Sequence, residues 1–144
     1  MTTTNGILLL NKPPGITSFK ALGGVKGSLK ESSGRKIKVG HTGTLDRFAE
    51  GLLVVLTGKF TRLNQAFTNM DKSYLAEINF GTTTDTLDPE GEVTKVSDVP
   101  SFDMIREKIS LFTGSIKQRP PVYSAVHVNG KRAYKHARNG EQVL

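Results

Sequence analysis

The sequence predicts an α+β domain with a largely antiparallel sheet. Apolar residues recur at helical spacing in several segments, whereas other short apolar or alternating runs end at turn residues. The pair Asn129-Gly130 between two such runs is a strong hairpin signal. Strands and helices do not alternate regularly, as they would in a parallel α/β fold. The 144 residues are enough for one domain with a hydrophobic core and too few for two of ordinary size.

The first elements are a strand and a helix. Residues 7–10 form an apolar run that predicts a buried strand, and the prolines and glycine of residues 13–15 end it. Thr17 or Ser18 can cap a following helix. Its apolar face is predicted to hold Phe19, Leu22, Val25 and Leu29. Residues 31–38 are mostly polar and predict a loop.

The middle of the chain predicts a strand, a helix and a second strand. Residues 52–57 read as a buried strand that ends at Gly58. Apolar residues at helical spacing predict a helix over residues 59–70. The alternation in residues 73–80 predicts a half-buried strand.

The last part of the chain predicts a turn, a helix and a hairpin. Residues 88–91 form a turn sequence before a short strand over residues 93–96. Ser101 precedes a helical pattern that Gly114 stops. Residues 123–128 are the first strand of the hairpin.

Composition excludes several classes of protein. The chain has no cysteine, so disulfides, thiolate zinc sites and thiol nucleophiles are excluded. The three histidines are dispersed without metal-ligand spacing, and we expect no metal site. No apolar run is long enough to span a membrane and no signal-peptide pattern is present, so we expect a cytoplasmic protein without a membrane partner.

The charge is unevenly distributed along the chain. Residues 1–72 carry 11 basic and 4 acidic side chains, residues 73–107 carry 2 and 8, and residues 108–144 carry 7 and 1. Two basic stretches around an acidic one indicate a polyanionic partner, with nucleic acid the first candidate. A basic but inert surface is the alternative.

The segment from Gly40 to Asp46, with sequence GHTGTLD, is the most informative stretch. Its two glycines allow a tight bend and the close approach of a ligand, the imidazole of His41 stands beside the bend, and a single carboxylate, Asp46, ends it. Asp46 is either a chemical group acting through its own carboxylate or an ordinary turn former or helix cap.

An aromatic residue, Tyr74, stands near the start of a predicted strand in this basic chain. Aromatic and imidazole rings beside a basic surface are suited to holding an unstacked base, although Tyr74 also fits ordinary core packing. A carboxylate beside an extruded nucleotide indicates chemistry on the base or its glycosidic bond.

Five motifs in order resemble those of the TruB-type tRNA pseudouridine synthases. They cover nearly the whole chain: GILLLNKPPGITS (residues 6–18), GHTGTLD (40–46), DKSY (71–74), TDTLD (84–88) and RPPVYSA (119–125).

The resemblance implies an activity and roles for four residues. The family isomerises a T-loop uridine of tRNA, uridine 55, to pseudouridine without a cofactor, by cleaving the glycosidic bond and rejoining the ring through C5. It implies that Asp46 is catalytic, by attack at the sugar, attack at the base or proton abstraction from C2′. It further implies that His41 contacts RNA, that Tyr74 stacks on the flipped base and that Asp88 lies near the target nucleotide.

The resemblance also implies a fold and an extent. The family's pseudouridine synthase fold is α+β around a mixed, mainly antiparallel sheet. Its members continue well past residue 144 with a C-terminal catalytic segment and an RNA-binding domain, so residues 1–144 are expected to be the N-terminal portion of a catalytic domain, a monomer that binds the tRNA T-arm.

The sequence leaves three hypotheses for the function. The first is the enzyme, the second a non-enzymatic RNA-binding module or inactive fragment, and the third a member of the guide-RNA-dependent branch of the superfamily. The TDTLD segment favours the stand-alone bacterial type over that third branch.

Overall fold

The computed structural model describes residues 4–120, 127–128, 130–133, 136 and 139. The chain divides into two compact units, Met1–Leu75 and Ala76–Leu144. The first unit combines a three-stranded sheet with one long helix and short helical segments. Its elements are β1 (Gly6–Lys12), α1 (Ser18–Ser33), β2 (Val39–His41), β3 (Gly51–Thr57), a 3-10 helix (Gly58–Leu63) and α2 (Asn64–Thr68).

The sheet of the first unit places β3 in the centre, with β1 and β2 antiparallel to it on either side. Val39 and His41 of β2 lie opposite Thr57 and Val55 of β3. The Thr42 amide donates to the Val54 carbonyl at 3.0 Å, which extends the pairing one residue beyond β2. The connection from His41 to Gly51 therefore leaves the sheet from an anchored end.

The core lies between α1 and one face of this sheet. Leu22 of α1 and Leu53 and Val55 of β3 are each at most 2% exposed. Burial of such a side chain contributes about 1.5–3 kcal/mol, so this contact fixes α1 on the sheet. Partly buried residues surround it: Leu10, Ala21, Val25 and Val39.

The strand predicted over residues 7–10 is present, but the prediction that it is buried is wrong. Leu9 is 71% exposed, and Leu52 of β3 is 64% exposed. Both lie on the sheet face opposite α1, because side chains alternate along a strand and Leu10 and Leu53 face the helix. The described residues leave this part of the opposite face uncovered.

The helix predicted after residue 17 is confirmed, with a later end than expected. The Thr17 hydroxyl caps α1 by accepting from the Lys20 amide at 3.2 Å. Gly34 ends the helix at φ 67°, with its amide donating to the Lys30 carbonyl. The loop predicted over residues 31–38 therefore begins only after Ser33. Phe19, expected on the apolar face, is 69% exposed.

The next segment is predicted to contain a helix and then a strand. The helix predicted over residues 59–70 is present only to Thr68, as a 3-10 helix followed by the short α2 rather than as one α-helix. The strand predicted over residues 73–80 is wrong, since residues 71–80 have no regular secondary structure and are all exposed. Alternation alone does not make a strand, because the backbone needs a neighbour for its hydrogen bonds.

Among its described residues, the second unit has two short hairpins and one α-helix. Its elements are β4 (Thr82–Thr84), β5 (Val93–Val96), α3 (Phe102–Ile109), a 3-10 helix (Ser110–Phe112), β6 (His127–Val128) and β7 (Lys131–Arg132). The predicted strand at residues 93–96 and the helix after Ser101 are confirmed, and the Ser101 hydroxyl accepts from the Met104 amide at 3.3 Å. β6 and β7 pair as the hairpin prediction required, whereas residues 123–126 lie outside the described residues.

The fold class is α+β, as predicted. All three sheets in the described ranges are antiparallel, and three α-helices accompany them. None of the described helices combines the length and apolar character that crossing a membrane requires.

Candidate active site

Asp46 and His41 lie in one cleft of the first unit. Asp46 is exposed at the middle of the connection from β2 to β3, and His41 is half-buried at the end of β2. Both line a cavity of about 330 Å³, together with the start of α1 at residues 17–19. The predicted pair is therefore brought together on an accessible surface.

The Asp46 carboxylate has no hydrogen-bond or ion-pair partner among the described residues, and no helix begins at this position. A helix cap would accept a backbone N–H two or three residues later. The geometry therefore does not support the alternative that Asp46 is a helix cap. The carboxylate is open to a molecule that enters the cleft.

The backbone on both sides of Asp46 is held by the segment 12–18. The Ser18 hydroxyl donates to the Leu45 carbonyl at 3.0 Å and accepts from the Leu45 amide at 2.9 Å. The Arg47 carbonyl accepts from the Gly15 amide at 2.8 Å and from the Lys12 ammonium at 3.3 Å. Gly15 has φ 83°, a conformation that favours glycine, so the turn that offers its amide depends on that residue.

The start of the same connection is held from α2. The Asn64 side-chain amide donates to the His41 carbonyl at 2.8 Å, and the Thr68 hydroxyl donates to the Thr42 carbonyl at 2.9 Å. These bonds fix the backbone that carries the imidazole. The Nδ1 atom of His41 is buried and has no hydrogen-bond partner among the described residues.

Tyr74 lies at a second cavity of the first unit, of about 450 Å³. This cavity is lined mostly by apolar residues from β3 and by the segment after α2, and Tyr74 is 71% exposed. Thr44 and Leu45 line both cavities, so the backbone just before Asp46 borders each of them. An exposed ring beside an apolar recess can stack on a planar group.

Asp88 lies in the second unit, in the turn between β4 and β5. Its carboxylate accepts from the Thr86 hydroxyl at 2.7 Å and from the Glu90 amide at 2.9 Å. These contacts shape the turn locally, and the residue is half-buried. Its predicted position near a bound nucleotide stays a prediction.

The part of the chain that the structure describes contains no group of three or more His, Asp or Glu residues that could hold a metal ion. The groups that line the two cavities include a carboxylate, an imidazole and the aromatic ring of Tyr74.

Several residues that build the site escaped sequence reasoning. Beyond their place in the first motif, Ser18 is predicted only as a helix cap and Lys12 has no predicted role. Asn64 and Thr68 have no predicted role either. Each acts on a backbone at least 23 residues away, and apolar periodicity carries no signal for such contacts. The neighbouring KPPGITS and GHTGTLD motifs were the only available hint.

Comparison with known proteins gives a consistent result. Residues 30–144 match the model of the TruB family pseudouridylate synthase, N-terminal domain. The chain is 48% identical to the tRNA pseudouridine synthase B of Borreliella burgdorferi (strain ZS7) over 138 residues, which are 95% of this chain and 47% of that protein. It is 51% identical to the protein of the same name from Treponema pallidum (strain Nichols), covering 96% of this chain and 37% of the relative.

A chlamydial relative has a similar overlap. The tRNA pseudouridine synthase B of Protochlamydia amoebophila (strain UWE25) is 46% identical over 94% of this chain and 50% of its own length. The chain thus spans about half the length, or less, of the curated relatives it matches.

Proposed function

Because this chain belongs to the TruB family of pseudouridylate synthases, we propose that it contributes the catalytic aspartate for converting uridine 55 in the T-loop of tRNA to pseudouridine. The relatives' name, tRNA pseudouridine synthase B, supports tRNA as the substrate class. The α+β architecture with antiparallel sheets is consistent with an incomplete pseudouridine synthase fold.

The observation that carries the proposal is the accessible Asp46 carboxylate beside His41 in an open cleft. The reaction breaks the C1′–N1 bond, forms a C1′–C5 bond and releases the C5 hydrogen as a proton while N1 gains one, so no oxidant or reductant is consumed. A carboxylate can add to the sugar, add to the base or take a proton from C2′, and each route needs access to the nucleotide.

The other predicted residues act in binding. His41 contacts RNA at the cleft, and Tyr74 stacks on the flipped base at the second cavity. The family resemblance supports a place for Asp88 near the target nucleotide. We further propose that the protein is a cytoplasmic monomer that recognises the tRNA T-arm.

The test is an Asp46→Asn variant of the complete natural gene product. Tritium release from a C5-labelled T-arm transcript should fall by at least about 100-fold, since the amide is neither an effective base nor a nucleophile. The dissociation constant for tRNA, measured by filter binding, should stay within about threefold of wild type. Wild-type protein that binds tRNA but releases no tritium would instead support the RNA-binding module.

A further inference from the structure

The Ser18 side chain is buried and fully engaged at the backbone of Leu45. Ser18 is 2% exposed at the first position of α1. A hydroxyl has one hydrogen to donate and lone pairs to accept, so both bonds to Leu45, at 3.0 and 2.9 Å, form at once. One side chain thus satisfies both backbone polar groups of the residue before Asp46.

The residue after Asp46 is held in a complementary way. The Lys12 side chain is 0% exposed, and its ammonium donates to the carbonyls of Pro13 at 3.0 Å, Ile16 at 2.9 Å and Arg47 at 3.3 Å. These three bonds use all three donors of the ammonium. Arg47 also donates through Nε to the Gly15 carbonyl at 3.0 Å.

These contacts tie a loop to rigid elements. Ser18 begins a helix that Leu22 packs against the sheet, and Lys12 ends β1. Resting on the proposed function, we propose that Ser18 is a positioning residue that sets the direction of the Asp46 carboxylate in the cleft. Ser18 also borders this cleft, but its hydrogen is committed to Leu45, so it is not a proton donor or nucleophile for the substrate.

The experiment compares three variants of the complete natural gene product. Ser18→Ala removes both hydrogen bonds to the Leu45 backbone, and Ser18→Cys keeps a side chain of similar size that offers only weak hydrogen bonds. The control is Thr57→Val, which removes another buried hydroxyl, one that donates to the Gly6 carbonyl at 3.4 Å and lines neither cavity. Single-turnover tritium release, the tRNA dissociation constant and the melting temperature are measured for each.

We expect Ser18→Ala to slow single turnover by about 10- to 100-fold, because a misplaced catalytic group loses rate rather than binding. Its dissociation constant should stay within about twofold, and Thr57→Val should keep the wild-type rate although it also loses a buried hydroxyl. Ser18→Cys should be slower than wild type by about tenfold, and it decides the matter if Ser18→Ala does not fold.

A single-turnover rate for Ser18→Ala equal to that of the Thr57→Val control would overturn the inference. This outcome is separable from failure of the proposed function, which would appear as full turnover by Asp46→Asn. Ser18→Ala therefore tests the positioning of Asp46, whereas Asp46→Asn tests whether Asp46 is catalytic.

Discussion

Asp46 combines a fixed backbone with an unengaged carboxylate. Its neighbours Leu45 and Arg47 are bound by Ser18, Lys12 and Gly15, while the described residues offer its own oxygens no partner. A group oriented before the substrate arrives avoids the cost of ordering it during the reaction. The arrangement supports the proposal that Asp46 is catalytic.

Tyr74 allows a prediction at the same scale. Tyr74→Ala should raise the protein concentration for half-maximal single turnover by about 5- to 150-fold, because base–aromatic stacking contributes about 1–3 kcal/mol. Tyr74→Phe keeps the ring and should stay close to wild type. The melting temperature should not change, since the side chain is 71% exposed.

Leu75→Ala is the matched control, since Leu75 is the neighbouring residue and is fully exposed. It should leave the half-maximal concentration unaltered. If Tyr74→Ala and Leu75→Ala have the same half-maximal concentration, Tyr74 does not stack on the base.

At the scale of elements, α1 allows a paired test of stability. Gly23 lies exposed inside the helix with no atom within 4 Å of an added Cβ, so Gly23→Ala should stabilise the protein by about 1 kcal/mol. Gly34 has φ 67°, and Gly34→Ala should destabilise it by about 1–2 kcal/mol. Urea unfolding midpoints measure both, and shifts in the same direction would contradict the assigned helix bounds.

The elements also show what sequence reasoning could reach. The start of α1 was predictable because Thr17 is a good N-cap before an apolar face, but its end was missed because the apolar period stops at Leu29 and the Gly34 cap was not used. Residues 73–80 alternate like a strand, yet no alternation can supply a hydrogen-bonding neighbour. Local chemistry and the hairpin of β6 and β7 were predictable, whereas pairing between strands distant in sequence was not.

The candidate site divides in the same way. The acid at the end of a glycine-rich bend and its neighbouring imidazole are local features, and the structure places Asp46 and His41 in one cleft. The bonds from Ser18 to Leu45 join residues 27 apart, and only the fold brings them together. The supporting residues therefore could not be identified from the sequence alone.

At the scale of the whole molecule, charge governs the proposed encounter with tRNA. Lys36 and Lys38 are exposed in the basic stretch of residues 1–72. If both neutralise phosphates, the double change to alanine should flatten the slope of log affinity against log salt by about 1 to 2. Filter binding across a salt series measures this slope.

A double change of Lys95 and Lys108 to alanine is the control of equal charge. Lys95 lies within the acidic stretch, and Lys108 pairs with Glu107 at 3.3 Å. This control should alter the slope less. Equal slopes for the two double variants would assign Lys36 and Lys38 to a surface away from the RNA.

The most direct measurement maps the modified nucleotide itself. Unmodified tRNA transcripts are incubated with wild-type or Asp46→Asn gene product, treated with carbodiimide and read by reverse transcription. We predict a stop that reports pseudouridine at position 55 with wild type and none with the variant. A stop of equal strength at position 55 with Asp46→Asn would contradict the account. The absence of this stop with active wild-type protein would also contradict it.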